Sequence, residues 1–117
     1  MTELRPEEAK RLIDRIGPCL GYDHTYNQHF PEGRNDVCAI CRSVENGSTY
    51  GYSVIYLVWK GASGELNHAE LIDTRRSKDY MSIDKIVAKD NLITVEVSSG
   101  GSYSGSPWKR SFSRRIA

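Results

Sequence analysis

Residues 37–60 read VCAICRSVENGSTYGYSVIYLVWK, two largely apolar runs on either side of a turn-forming ENGS. Asn46 and Gly47 can both take the positive φ that a tight hairpin turn demands. Val37–Val44 and Thr49–Lys60 are therefore expected to pair as antiparallel strands. In the second run Ile55, Leu57 and Trp59 fall on one face of the extended chain, and Tyr52, Val54, Tyr56 and Val58 on the other. A strand that is apolar on both faces is expected at the centre of a sheet, with no side left for water.

Downstream, short β-type runs alternate with turns. GASG ends the hairpin, Leu66–Asp73 gives a further strand, RRSKD a polar connection and Met81–Ala88 another strand. KDN turns the chain into Leu92–Ser98, where Ile93, Val95 and Val97 face one way and Thr94 and Glu96 the other. GGSYSGSP reads as a hairpin loop before a last strand, Trp108–Arg114.

Upstream, Ala9, Leu12, Ile13 and Ile16 fall on one helical stripe while Glu7, Lys10, Arg11 and Asp14 face away from it. Pro6 suits the first turn, where a missing N–H costs nothing, and Glu7 and Glu8 complement the positive end of the dipole. Gly17 and Pro18 stop the helix. From Gly17 to Asp36 neither period is present, so the segment reads as a long loop held by its own Leu20, Tyr22, Tyr26 and Phe30, or by an ion. PEGRND at Pro31–Asp36 reads as a turn. The expected fold is a single α+β domain over residues 1–117: one N-terminal helix packed on a curved antiparallel β-meander of about six strands.

Composition sets the outer bounds. A chain of 117 residues with 38% hydrophobic side chains, seven tyrosines and two tryptophans can bury one core. The longest apolar run, Val54–Trp59, is far short of the roughly twenty residues of a membrane helix. MTELRPEEAKR is charged from the third residue and lacks the apolar stretch of a secretory signal, so the expectation is a cytoplasmic protein with reduced thiols and no membrane partner. The net charge of +1 hides an asymmetry: residues 97–117 hold Lys109, Arg110, Arg114 and Arg115 and no acid. Such a block can meet phosphates or an acidic partner, or can keep an exposed strand soluble.

Two stretches could carry chemistry. Cys38-x2-Cys41 is half of a zinc-binding pattern, and His24 and His29 could supply two further ligands, with Cys19 as a replacement; tetrahedral zinc takes sulfur and nitrogen donors of this kind. Against this, a regular strand sends side chains three apart to opposite faces, which makes Cys38 and Cys41 buried apolar fillers. The second stretch interleaves Tyr103, Trp108 and Phe112 with Lys109, Arg110, Arg114 and Arg115. Rings that stack on bases beside cations that track phosphates are the chemistry of single-strand binders. Alternatively Trp108 and Phe112 face the core and the cations guard an edge strand.

Catalytic patterns fail. Gly101-Ser102-Tyr103-Ser104-Gly105 has tyrosine where a nucleophile elbow has serine, and no spacing joins a cysteine to His24, His29 or His68. The favoured function is a non-enzymatic interaction or ligand-binding domain without a cofactor. Its contact surface for a protein or small ligand would comprise Tyr22, Tyr26, Tyr103, Trp108, Lys109, Arg110, Arg114 and Arg115. The alternatives are a zinc-stabilised nucleic-acid-binding module and a small cysteine-dependent or hydrolytic enzyme.

Overall fold

The computed structural model describes residues 2–17, 23–45, 51–100 and 105–116. Helix α1 spans Pro6–Ile16 and is followed by strands β1 Asp23–His29, β2 Val37–Glu45, β3 Gly51–Lys60, β4 Leu66–Asp73, β5 Met81–Lys89, β6 Leu92–Ser99 and β7 Trp108–Arg115. Pairing is antiparallel throughout, in a four-stranded sheet ordered β1-β2-β3-β4 and a three-stranded sheet ordered β5-β6-β7. The α+β character and the antiparallel sheets match the expectation. The single curved meander of six strands does not: among the described residues there are seven strands, in two sheets.

The two-faced hairpin explains the split. β2 and β3 pair from Val37↔Trp59 to Glu45↔Gly51, while the ENGS turn itself lies outside the described residues. Cys38, Ile40, Val54, Tyr56 and Val58 form one face, on which Leu4 and the Ala9, Leu12 and Ile13 stripe of α1 pack. Val37, Ala39, Cys41, Ile55 and Leu57 form the other, which meets Met81, Ile83, Ile86, Ile93, Val95 and Val97 of the second sheet. Each fully buried Val, Ile or Leu contributes about 1.5–3 kcal/mol, so neither face can be left to water. The order of layers is helix, four-stranded sheet, three-stranded sheet. Ile16, at the end of the helical stripe, is 39% exposed.

β1 is the strand that periodicity misses. Its DHTYNQH sequence has no apolar alternation because the strand lies at a sheet edge with most of its side chains exposed. What holds it is the ladder to β2 and the helix-side contacts of Tyr26 and Gln28; Gln28 Nε2 donates to the Pro6 carbonyl at 2.8 Å. The PEGRND turn is present. Arg34 N donates to Pro31 O at 3.3 Å, and Gly33 takes φ 81°, the left-handed position of a type II turn.

Among the described residues the two sheets share no ladder, and hydrogen bonds tie them at both ends. At one end Thr74 N donates to Ser53 O and Ser53 N donates to Thr74 Oγ1, both at 3.0 Å, while Thr74 Oγ1 lies 2.5 Å from Asp79 O. Ser53 Oγ accepts from Met81 N and pairs with Ser43 Oγ, both at 2.9 Å. At the other end Arg34 grips the Asp36 carboxylate at 2.7 and 2.9 Å and reaches the β5–β6 turn, donating to Asp90 O at 2.5 Å and Asn91 Oδ1 at 3.3 Å. Hydrogen bonding from Arg34 holds the Asp36 carboxyl below its ordinary value despite partial burial.

Thr74→Val keeps the shape of the side chain but leaves Ser53 N–H buried without its acceptor. It should cost about 1–3 kcal/mol, read as a lower urea midpoint at unchanged slope. Arg34→Gln should destabilise the protein at neutral pH. A depressed carboxyl pKa contributes stability above the unfolded-state value and loses it as pH falls through the folded-state value. The gap between the native protein and this variant should therefore begin to narrow below about pH 4, where Asp36 protonates in the unfolded chain, and close as pH falls through the lower folded-state value; urea titrations across pH read it.

Candidate functional site

β2 sends its side chains alternately to the two cores. Cys38 lies on the helix side, fully buried with Ile40 and Val58, and Cys41 lies between the sheets, where its Sγ donates to Met81 O at 3.4 Å. One ion cannot reach both sulfurs through the thickness of a sheet. His24 and His29 sit on β1, five positions apart, opposite Val44 and Ala39. The period of two divides the proposed ligands, with Cys38 and His24 on the helix side of the sheet and Cys41 and His29 on the other, and among the described residues no group of three or more His, Cys, Asp or Glu side chains is placed to hold a metal. Burial pushes the Cys38 thiol up to about 12 and raises that of Cys41. The thiolate is the nucleophilic form, so neither group has the profile of a catalytic cysteine. His68 is exposed on β4. Cys19, Tyr22 and Tyr103 lie outside the described residues.

Tyr26 belongs to a different surface from the other proposed contact residues. It lies on the helix side of β1, donates to Asp14 Oδ1, has Lys10 Nζ 4.9 Å from its ring centroid and makes an edge contact with His24. Burial, reinforced by the Asp14 carboxylate, pushes its hydroxyl up to about 12. Beside it in register is Arg42, which sequence reasoning passed over. This arginine is 2% exposed and donates to the carbonyls of Gly17 and Ile13, the latter at 3.4 Å, so it caps the C-terminus of α1. A Cβ on Gly17 would come within 2.6 Å of Arg42 Nη2; glycine there makes room for the guanidinium. The group fastens helix to sheet.

The remaining proposed residues converge on β7. Among the described residues this strand is an edge, paired only to β6, with Val95↔Phe112 and Ser99↔Trp108 in register. Buried Val95 and Ser99 fix which way β7 faces. Trp108 and Phe112, with Ile116 beyond the strand, are half-buried against the inter-sheet core, as are Trp59, Leu71 and Ile72 of the other sheet. Arg110 and Arg114 share this inward phase yet stay exposed. The Arg110 guanidinium lies 4.5 Å from the Trp108 ring centroid, and that of Arg114 lies 5.8 Å from that of Trp59. Lys109, Ser111, Ser113 and Arg115 occupy the opposite phase, on the outer face of the sheet. There a shallow hollow of about 400 Å³ is lined by Asp84, Lys85, Glu96, Val97, Lys109, Arg110 and Ser111, with both signs of charge.

β7 therefore offers four cations divided between its two faces, Lys109 and Arg115 on the outer one and Arg110 and Arg114, each laid on a tryptophan ring, beside the half-buried apolar rings. Trp59 was legible as a partner only through its shared phase with Ile55 and Leu57; no sequence pattern links it to Arg114, which approaches from the other sheet.

Alkylation of a Cys19→Ser protein with iodoacetamide at pH 8 should leave Cys38 and Cys41 unmodified in native buffer and label both in denaturant, as mass spectrometry would show. Fast native labelling of either thiol would contradict the buried placement. The chain matches no protein-family model, and neither a curated protein nor a solved structure matches it.

Proposed function

We propose that this chain is a non-enzymatic binding domain that engages a negatively charged partner through β7. The observation that carries the reading is the edge position of a strand bearing Lys109, Arg110, Arg114 and Arg115 and no acid, with two of its guanidiniums held against tryptophan rings. An arginine already stacked on an aromatic face has less side-chain entropy to lose when a carboxylate or phosphate docks. Planar guanidinium also favours two-point recognition of such groups.

Base stacking is less favoured than charge recognition. Trp108 and Phe112 turn toward the inter-sheet core, so β7 lacks the projecting rings on which single-stranded nucleic acid would stack. The long-range field of the strip adds a salt-dependent steering contribution whichever polyanion approaches.

The test is binding of poly-L-glutamate followed by anisotropy across a salt series. The native protein should bind with an affinity that falls steeply as salt rises, and replacing Lys109, Arg110, Arg114 and Arg115 together by glutamine should weaken it by about tenfold or more while circular dichroism stays unchanged. Equal binding by the neutralised protein, or none by the native one, would remove the reading.

A further inference from the structure

We infer that β7 accepts an extended segment of another protein as a fourth strand of the β5-β6-β7 sheet, and that this segment carries acidic residues flanking an apolar one on its inward face. This rests on the reading of β7 as an anion-binding surface and specifies its ligand and mode of docking.

The backbone is set for such an addition. Ile116 N donates to Asn91 O at 2.9 Å, and the β6–β7 register, Leu92↔Arg115 to Ser99↔Trp108, runs without a shift. In an antiparallel ladder directly hydrogen-bonded pairs alternate with unbonded ones. The residues bonded to β6 are therefore Trp108, Arg110, Phe112, Arg114 and Ile116, and the N–H and C=O groups of Lys109, Ser111, Ser113 and Arg115 point away from it, along the edge. No proline interrupts residues 108–115. The other edges are less suited: the β5 ladder is broken by a shift between Ile83 and Lys85, the β4 ladder by one between Ile55 and Tyr56, and β1 carries a mixture of Asp23, polar side chains and two histidines.

The side chains select the occupant. A strand bonded to Lys109, Ser111, Ser113 and Arg115 would meet Arg110, Phe112 and Arg114 in unbonded pairs, where side chains approach most closely. Carboxylates opposite Arg110 and Arg114 would pair with them, and an apolar residue between would extend the half-buried row of Trp108, Phe112 and Ile116. The complement is acid-x-apolar-x-acid. Four cations on the strand repel a second β7, which argues against edge-to-edge pairing of two copies. No segment of residues 1–117 has the acid-x-apolar-x-acid pattern, which argues against any other strand of a second copy and for a different protein.

The test titrates the intact chain with the acetylated and amidated peptide Val-Thr-Glu-Thr-Val-Thr-Glu-Thr-Val. Its controls are a scrambled version that keeps composition and charge, a version N-methylated at every threonine, poly-L-glutamate and oligothymidylate. The inference expects the parent peptide to bind about tenfold or more tightly than either modified peptide. It also expects hydrogen exchange to slow at the amides of Lys109, Ser111, Ser113 and Arg115, and Arg110→Glu with Arg114→Glu to abolish binding without loss of fold. Equal affinity for parent, scrambled and N-methylated peptides with unchanged exchange would overturn strand addition while leaving charge recognition intact. Failure to bind any acidic chain, poly-L-glutamate included, would overturn both. Tighter binding of oligothymidylate than of the parent peptide would overturn the choice of a polypeptide. Dimerisation of the free chain that the two glutamate substitutions abolish would overturn the choice of a foreign partner.

Discussion

Burial of both faces of the β2–β3 hairpin is the constraint from which the rest of the architecture follows. One layer cannot shield Ile40, Val54 and Val58 on one side and Ala39, Ile55 and Leu57 on the other. The chain meets the demand twice, with an amphipathic helix before the hairpin and a second sheet after it. Because α1 and the β5-β6-β7 sheet never need to touch, each can be simple: a stripe of Ala9, Leu12 and Ile13 on one, and the alternation of Ile93, Val95 and Val97 on the other.

Packing alone does not orient one sheet on another, since apolar contact has no direction. Direction comes from the polar ties. Ser53 and Thr74 satisfy each other's backbone groups and receive the first N–H of β5, while Arg34 joins buried Asp36 to the β5–β6 turn at the opposite end. With both ends pinned, β5 packs across β1, β2 and β3, and β7 carries Lys109 and Arg115 on the outer face of its sheet and Arg110 and Arg114 along its inward phase. The exposed strip is thus a product of where the sandwich is fastened as much as of its own sequence.

Much of this was readable from residues. α1 and β2 to β7 all follow from period and turn chemistry, with β4 from Leu66 to Asp73 bounded by its sequence pattern, and the alternation of β2 already argued against shared coordination by Cys38 and Cys41. β1 was not readable, because an edge strand held by a ladder and by Tyr26 leaves no hydrophobic period in DHTYNQH. The change from one meander to two sheets was not readable either: it depends on Thr74 and Ser53 meeting across twenty-one positions, which local patterning does not encode. Within the candidate site the cations and rings of β7 were visible, but the approach of Arg114 to Trp59 is a product of tertiary packing.

Arg42 has a further consequence. Its guanidinium sits almost wholly out of water, and the compensation it receives includes carbonyls at the end of α1 and the Tyr56 hydroxyl and ring. If the helix lifted away alone, Arg42 would exchange the Ile13 and Gly17 carbonyls for water while keeping Tyr56, and the apolar face of Cys38, Ile40, Val54 and Val58 would be exposed together with Leu12 and Ile13, at about 1.5–3 kcal/mol for each large side chain. The helical layer therefore has no inexpensive route to independent opening. It should come off only as the four-stranded sheet itself gives way, making two layers with few residues in common a single cooperative unit.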